Sequence, residues 1–65
     1  MLSTNYDLRY DLSEELWTVA GLLADEGKES AAYRARNAAM DCKTGIGSTD
    51  HWTRVLCDLE DLIGE

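Results

Sequence analysis

Apolar residues recur every three or four positions in three segments of the chain, a spacing that places them on one face of an α-helix. In the first segment these positions are Leu12, Leu16, Val19, Ala20 and Leu23. Asp11 and Glu14 have the spacing of a capping box at its start. Gly27 follows the segment, and glycine adopts the left-handed C′ conformation without steric cost. We therefore predict a first helix over residues 12–26.

The same spacing predicts two further helices, over residues 30–43 and 49–63. The second helix has an apolar face of small side chains, which lets another backbone approach closely: Ala31, Ala32, Ala35, Ala38, Ala39 and Cys42. Two glycines then interrupt the pattern, and Ser48, Thr49 or Asp50 can cap the helix that follows. The third stripe consists of Trp52, Val55, Leu56, Leu59, Leu62 and Ile63.

The first eleven residues fit two patterns. Tyr6, Leu8 and Tyr10 alternate with polar residues, as in a strand, yet Leu8 also continues the first helical stripe backward. A lone strand leaves its backbone groups unpaired, and the chain contains no second strand candidate. We therefore expect residues 1–11 to form an extended arm or a helical extension that packs its tyrosines on the bundle. An extended arm could also pair with another subunit.

These elements predict an all-α fold, a small three-helix bundle with an N-terminal arm, in a single domain over residues 1–65. A domain of 65 residues buries only about 60% of the surface that its unfolded chain exposes, so its stability is marginal. No stretch approaches the roughly 20 apolar residues that cross a bilayer, and no N-terminal apolar segment indicates secretion. We expect a soluble, cytoplasmic protein that does not contact a membrane.

Charge narrows the range of partners. Thirteen acidic residues against six basic ones give a formal net charge of −7 at pH 7. The excess lies on the first and third helices, whereas residues 28–43 carry more cations than carboxylates. Because a protein binds nucleic acid by neutralising phosphates with Lys and Arg, this charge argues against direct nucleic-acid binding. It favours a protein partner with a basic surface, toward which negative helix faces are steered.

The predicted partner-binding surface lies on the outward faces of the first and third helices. Its members are Glu14, Glu15, Asp25, Glu26, Asp58, Glu60, Asp61 and Trp17. Trp17 is included because Leu16 already holds the core position and because tryptophan is frequent in interfaces. Trp52 opens the third apolar stripe, so we expect it in the core. The alternative is that the carboxylates only form solvated faces, paired in part with cations of the second helix.

Cys42, His51 and Cys57 are too scattered for a structural zinc site, which normally needs four ligands at close spacings. If the second and third helices are antiparallel, the two cysteines are offset by about 10 Å along the axis, which is too far for a disulfide. We expect two free thiols, buried or half-buried. We predict no catalytic residue, no metal and no cofactor, because the carboxylates are spread over exposed faces rather than paired in a cleft.

Several segments resemble small uncharacterised bacterial helical proteins with a W-x-x-A motif, a glycine turn, an Ala/Arg helix and a late tryptophan. The matching segments are Leu16–Ala20, Glu26–Gly27, the alanine-rich run through Arg36, Asp50–Trp52 and Leu59. The resemblance covers about residues 16–62 and implies a helical fold but no activity. In size, acidity and helical make-up the chain is also similar to phage-encoded anti-CRISPR proteins and other DNA-mimic inhibitors.

The function expected from these features is non-enzymatic. The chain would inhibit a basic, nucleic-acid-handling partner by occupying its site, either as a DNA mimic or by steric blocking. The alternative is a small structural or regulatory helical protein that acts as a homodimer through its alanine face. In that case the charge would serve only solubility.

Overall fold

The computed structural model describes the backbone of residues 4–64 and the side chains of residues 8–64. It contains three α-helices, α1 (Thr4–Asp25), α2 (Glu29–Thr44) and α3 (Thr49–Glu60), and no strand among these residues. The prediction of an all-α three-helix bundle is confirmed. The helices share one hydrophobic core, and their Cα atoms span 41 × 17 × 16 Å.

The first helix begins eight residues earlier than predicted. Of the two possibilities for the N-terminal segment, the helical extension is therefore correct from Thr4 onward, and residues 1–3 lie outside the described part of the chain. The capping box predicted at Asp11 is wrong, because this residue lies inside α1. The start of α1 is helical despite its alternating pattern because a helix satisfies its own backbone hydrogen bonds, whereas a strand needs a second strand beside it.

Each of the first two helices ends in the same hydrogen-bond pattern. At the end of α1, Gly27 N–H donates to the Ala24 carbonyl at 3.0 Å and Lys28 N–H donates to the Leu23 carbonyl at 2.9 Å. This is a Schellman motif, and it requires the positive φ of 80° that Gly27 adopts as predicted. At the end of α2, the amides of Gly45 and Ile46 bond in the same way to Cys42 and Asp41.

The connection between α2 and α3 is tight because Trp52 packs against it. Of the three candidate caps, Ser48 is the one that caps α3, since its hydroxyl accepts the His51 N–H at 3.1 Å. The Trp52 indole N–H donates to the Ile46 carbonyl. A Cβ at Gly47 would lie only 2.9 Å from the indole nitrogen, so the absence of a side chain there lets the ring approach. The predicted third helix ended at residue 63, whereas α3 ends at Glu60 and continues as turns to residue 64.

The core combines the three predicted stripes. Trp52 is 8% exposed, which confirms its predicted place in the core. The alanines of α2 are at most 7% exposed, and α1 makes its most extensive contacts with α2. The buried residues of the core cluster are Leu12, Leu16, Val19, Ala20, Leu23, Ala31, Ala32, Ala35, Ala38, Ala39, Cys42, Trp52, Leu56 and Leu59. The chain itself therefore covers the alanine face of α2.

The three helices run up, down and up, so the bundle has two distinct ends. At one end Arg9 of α1 bonds to the carbonyl of Cys42 at the end of α2. At the other end Glu26, just after α1, accepts a hydrogen bond from the Gly64 amide beyond α3. The C-termini of α1 and α3 and the N-terminus of α2 therefore lie together.

Candidate partner-binding surface

All eight residues predicted to bind a partner are exposed, but the structure divides them into separate groups. Glu14, Glu15 and Trp17 lie in the middle of α1. Asp58 lies on α3, beside a groove described below. The remaining four lie at the end of the bundle where α1 and α3 terminate, and we call them the acidic end: Asp25, Glu26, Glu60 and Asp61.

The acidic end places negative charge where helix dipoles disfavour it. The C-terminus of a helix carries partial negative charge, which cations stabilise and carboxylates oppose. Neither α1 nor α3 has a basic residue in its last turn. Asp25, Glu60 and Asp61 instead lie at these two C-termini. Helix stability therefore does not account for the charge at this end of the molecule.

Glu26 differs from its neighbours because it already has partners in the chain. Its carboxylate oxygens accept the Gly64 N–H at 3.0 and 3.2 Å, and Oε1 also accepts from Lys28 Nζ at 3.0 Å. The Gly64 hydrogen bond and then the Lys28 ammonium lower the pKa of the Glu26 carboxyl below 4.5. Lys28 also donates to the Leu62 carbonyl. Glu26 thus holds the C-terminal turn against the end of α1.

The other carboxylates remain uncompensated. Among the side chains of residues 8–64, the only ion pair within 4.0 Å joins Lys28 to Glu26. The cations of α2, which could have neutralised the flanking helices, form no ion pair with them in this part of the chain. Most of the acidic surface is therefore solvated and available to a cation from outside the molecule.

A groove lies between α2 and α3. It has a volume of about 400 Å³ and is lined by Arg34, Val55, Asp58, Leu59 and Leu62. Val55 and Leu62 are only partly buried, so the floor of the groove is apolar and accessible. Arg34 and Asp58 provide one charge of each sign. No local sequence pattern places these two residues at one groove, because they belong to different helices whose packing sets their proximity.

Trp17 lies at the edge of the α1 core stripe, as expected, and is 43% exposed. Tyr10 precedes it by two helical turns and is 48% exposed, so it packs on the bundle only in part. The side chain of Tyr6, for which the same packing was predicted, lies outside the described part of the chain. Tyr33, on α2, is 61% exposed. The aromatic residues of the surface therefore lie on both long helices.

Sequence reasoning missed the part played by Arg9. Its guanidinium donates to the carbonyls of Cys42 at 3.1 Å, Ile46 at 3.4 Å and Gly47. One signal was available, since Arg9 lies three residues before Leu12 and seven before Leu16, in line with the core stripe. A cation at a core-facing position next to a helix C-terminus can satisfy the terminal carbonyls.

Both cysteines are free, as predicted, although only Cys42 is buried and Cys57 is exposed. Burial raises the pKa of the Cys42 thiol above 9.0, and the Arg9 charge opposes this rise. Among the described residues no group of three His, Cys, Asp or Glu side chains is arranged to hold a metal ion. Within the same part of the chain, every helix is too short or too polar to cross a membrane.

Comparison with known proteins identifies the family but no activity. Neither a curated protein nor a solved structure matches the chain. One family model, described as a domain of unknown function, matches residues 1–65. The small helical fold agrees with the resemblance drawn from the sequence, whereas the likeness to anti-CRISPR proteins finds no match. The chain belongs to the family DUF7273.

Proposed function

We propose that the protein is a non-enzymatic inhibitor that binds the basic surface of a nucleic-acid-handling protein and occupies the site of the nucleic acid. The observation that carries the proposal is the exposed charge on α1 and at the acidic end, where Glu26 is the one carboxylate with an ion-pair partner among the described side chains. An anti-CRISPR protein is the most concrete form of such an inhibitor.

The placement of the charge supports this proposal. Exposed carboxylates that outnumber the cations around them produce a negative potential that attracts basic surfaces over a distance. The C-terminal dipoles of α1 and α3 add partial negative charge at the acidic end. Charge of this kind affects association rates more strongly than it affects folding stability. Lys and Arg side chains that normally hold phosphates are suitable partners for such a surface.

The arrangement also supports a binding role rather than catalysis. General acid–base chemistry needs two titratable groups that face one bound substrate. The groove between α2 and α3 contains one carboxylate, Asp58, beside Arg34 and three apolar side chains. No carboxylate of α1 lines this groove.

The test uses two variants of equal net charge. The first replaces Glu14, Glu15, Asp25 and Asp61 by Gln or Asn, which changes the net charge from −7 to −3. The control leaves these residues in place and reaches the same net charge by introducing lysine at four exposed positions on α2 and α3: Ser30, Asn37, Met40 and Thr53. Glu26 is left unchanged because it holds the C-terminal turn.

Each protein is immobilised and used to retain partners from a bacterial lysate, and a retained partner is then purified for measurements of association rate. We expect the first variant to lose far more binding than the control. We also expect duplex DNA to compete with the wild-type protein, and association to slow as salt rises, because steering is screened beyond about 8 Å at 0.15 M. Binding that is indifferent to salt, to DNA and to the first variant would overturn the proposal.

A further inference from the structure

Four exposed residues of α1 lie in a line along one side of the helix. Tyr10, Glu14, Trp17 and Gly21 occur at successive steps of four, three and four residues, which places them above one another on the surface. The two aromatic residues are 48% and 43% exposed. At 1.5 Å per residue, the line from Tyr10 to Gly21 is about 16 Å long. We call these four residues the aromatic stripe.

Gly21 has no role in the packing of its own chain. It lies inside α1 without a positive φ, so its backbone does not require glycine. A Cβ at this position would meet no atom within 4 Å, so no close contact requires glycine either. Glycine is nevertheless less favourable than alanine in the middle of a helix. What its presence does provide is helix backbone that no neighbouring atom covers, one turn beyond Trp17, and we call this uncovered position the notch.

Glu14 supplies a carboxylate between the two aromatic residues. It is exposed, and no cation among the described side chains lies within ion-pair distance of it. Tyrosine and tryptophan rings attract cations through their faces, and tryptophan does so best. An arginine guanidinium is planar, stacks on aromatic faces and can bond to a carboxylate through two N–H groups. The stripe therefore combines the groups that recognise arginine.

We propose that the aromatic stripe is the contact site for an arginine-bearing helix or loop of the partner. This inference rests on the proposed function and names the part of the surface that makes the central contact. One arginine stacks on Trp17 and bonds to Glu14, while the backbone of the same segment enters the notch at Gly21. Aromatic residues of this kind commonly provide most of the binding energy of an interface, and charges around them contribute less.

The chain offers matched controls for Trp17 and for Glu14. Leu22 is 44% exposed, almost the same as Trp17, but it lies on another side of α1. Glu29 is an exposed carboxylate in the first turn of α2, and it lies outside both the stripe and the predicted partner-binding surface. We therefore compare Trp17→Ala with Leu22→Ala, and Glu14→Gln with Glu29→Gln.

The probe is an acetylated, amidated alanine-based helical peptide with arginine at every fourth position, compared with its lysine analogue. Binding is followed by NMR on the ¹⁵N-labelled full chain at about 20 mM salt, where charge interactions are weakly screened. We expect shifts concentrated at the amides of the stripe and at the Trp17 indole N–H, and tighter binding of the arginine peptide. Trp17→Ala and Glu14→Gln should each weaken binding about 3–10-fold, and the control variants should have little effect.

Gly21→Ala gives the sharpest result because folding and binding should change in opposite directions. We expect a higher melting temperature, since alanine favours the helix, together with weaker peptide binding, since the methyl group fills the notch. Wild-type affinity in both Gly21→Ala and Trp17→Ala, or shifts confined to the acidic end, would overturn the proposed contact site and leave the proposed function standing. Absence of any chemical-shift change at low salt would also overturn the proposed contact site. The proposed function is tested separately, by the two variants of equal net charge.

Discussion

Arg9 and Cys42 each donate a hydrogen bond to the main-chain carbonyl of the other. The Arg9 guanidinium bonds to the Cys42 carbonyl at 3.1 Å, and the Cys42 thiol bonds to the Arg9 carbonyl at 3.5 Å. Arg9 also donates to the carbonyls of Ile46 and Gly47. One side chain of α1 thus joins the end of α2 to the turn that precedes α3. Its charge also lies where the dipole of α2 favours a cation.

Replacement of Arg9 by Met should therefore destabilise the protein although methionine retains an unbranched apolar stem. We expect a loss of about 1–3 kcal/mol, because the variant removes charge-assisted hydrogen bonds to carbonyls. Arg9→Lys should restore only part of this loss, since an ammonium cannot reach several carbonyls with the geometry of a guanidinium. Urea unfolding measures the effect. The control is Arg54→Met at an exposed position on α3, and an equal effect of both Met variants would contradict the role of Arg9.

Gly47→Ala should be more destabilising than Gly27→Ala. Both glycines have positive φ, 76° and 80°, so both substitutions impose backbone strain of about 1–2 kcal/mol. Only at Gly47 does the added methyl group also approach the Trp52 ring. We expect an additional loss of about 1–3 kcal/mol from this overpacking. Thermal unfolding of both variants gives the difference, and equal losses would show that the ring moves aside without cost.

Most of the fold could be predicted because local signals agreed with one another. Gly27 marked the end of α1 and Ser48 marked the start of α3, and both act through short-range hydrogen bonds that the sequence specifies. The start of α1 was missed because Leu8 fits a period of two as well as a period near four. The end of α3 was placed at residue 63 because Leu62 and Ile63 continue the stripe, and both do pack on the core from a turn.

Less of the candidate site could be predicted. Exposure of the acidic residues follows from amphipathic spacing, and it was correct for all seven in the predicted surface. Which of them lie together depends on the antiparallel order of helices and on where each ends, so the acidic end emerged only from the structure. The hydrogen bond from Gly64 to Glu26 joins residues 38 positions apart. No local pattern indicates a contact of that kind.

Truncation of the α3 core residues tests the packing of the bundle. Leu56 and Leu59 are 6% and 3% exposed. Replacement of either by Ala should cost about 2–5 kcal/mol, because it loses transfer free energy and leaves a cavity. In a domain of marginal stability this loss approaches the whole free energy of unfolding. Leu22→Ala, on the exposed face of α1, is the control for urea unfolding. A Leu59→Ala curve that overlays the wild type would show that α3 is wrongly placed.

The two cysteines should differ in reactivity. Cys57 is exposed and should react with a thiol reagent in the folded protein, whereas Cys42 is buried and has a raised thiol pKa. Cys42 should therefore react only after unfolding, because the thiolate is the reactive form. Mass spectrometry counts the adducts, and we expect one before and two after denaturation. The raised pKa also predicts that stability declines as pH rises above about 9, where the unfolded thiol loses its proton first.

The stability that Glu26 contributes by holding the C-terminal turn should depend on pH. The Gly64 N–H and the Lys28 ammonium favour the carboxylate in the folded state, so its pKa is lowered from 4.5. The unfolded state then binds a proton more readily, and stability rises with pH across this range. The contribution of Glu26 is therefore present above pH 4.5 and is lost as pH falls through the folded-state pKa.

The amide of Gly64 should report this transition directly, because its proton bonds to both carboxylate oxygens. We expect its chemical shift to titrate with a midpoint below 4.5. In Glu26→Gln this titration should disappear, and the stability difference between neutral and acid pH should become smaller than in the wild type. Glu15→Gln removes an exposed carboxylate without such partners, and it should leave the Gly64 titration unchanged. If the Gly64 amide shift does not change with pH in the wild type, or if Glu15→Gln abolishes its titration, the turn is not held by Glu26.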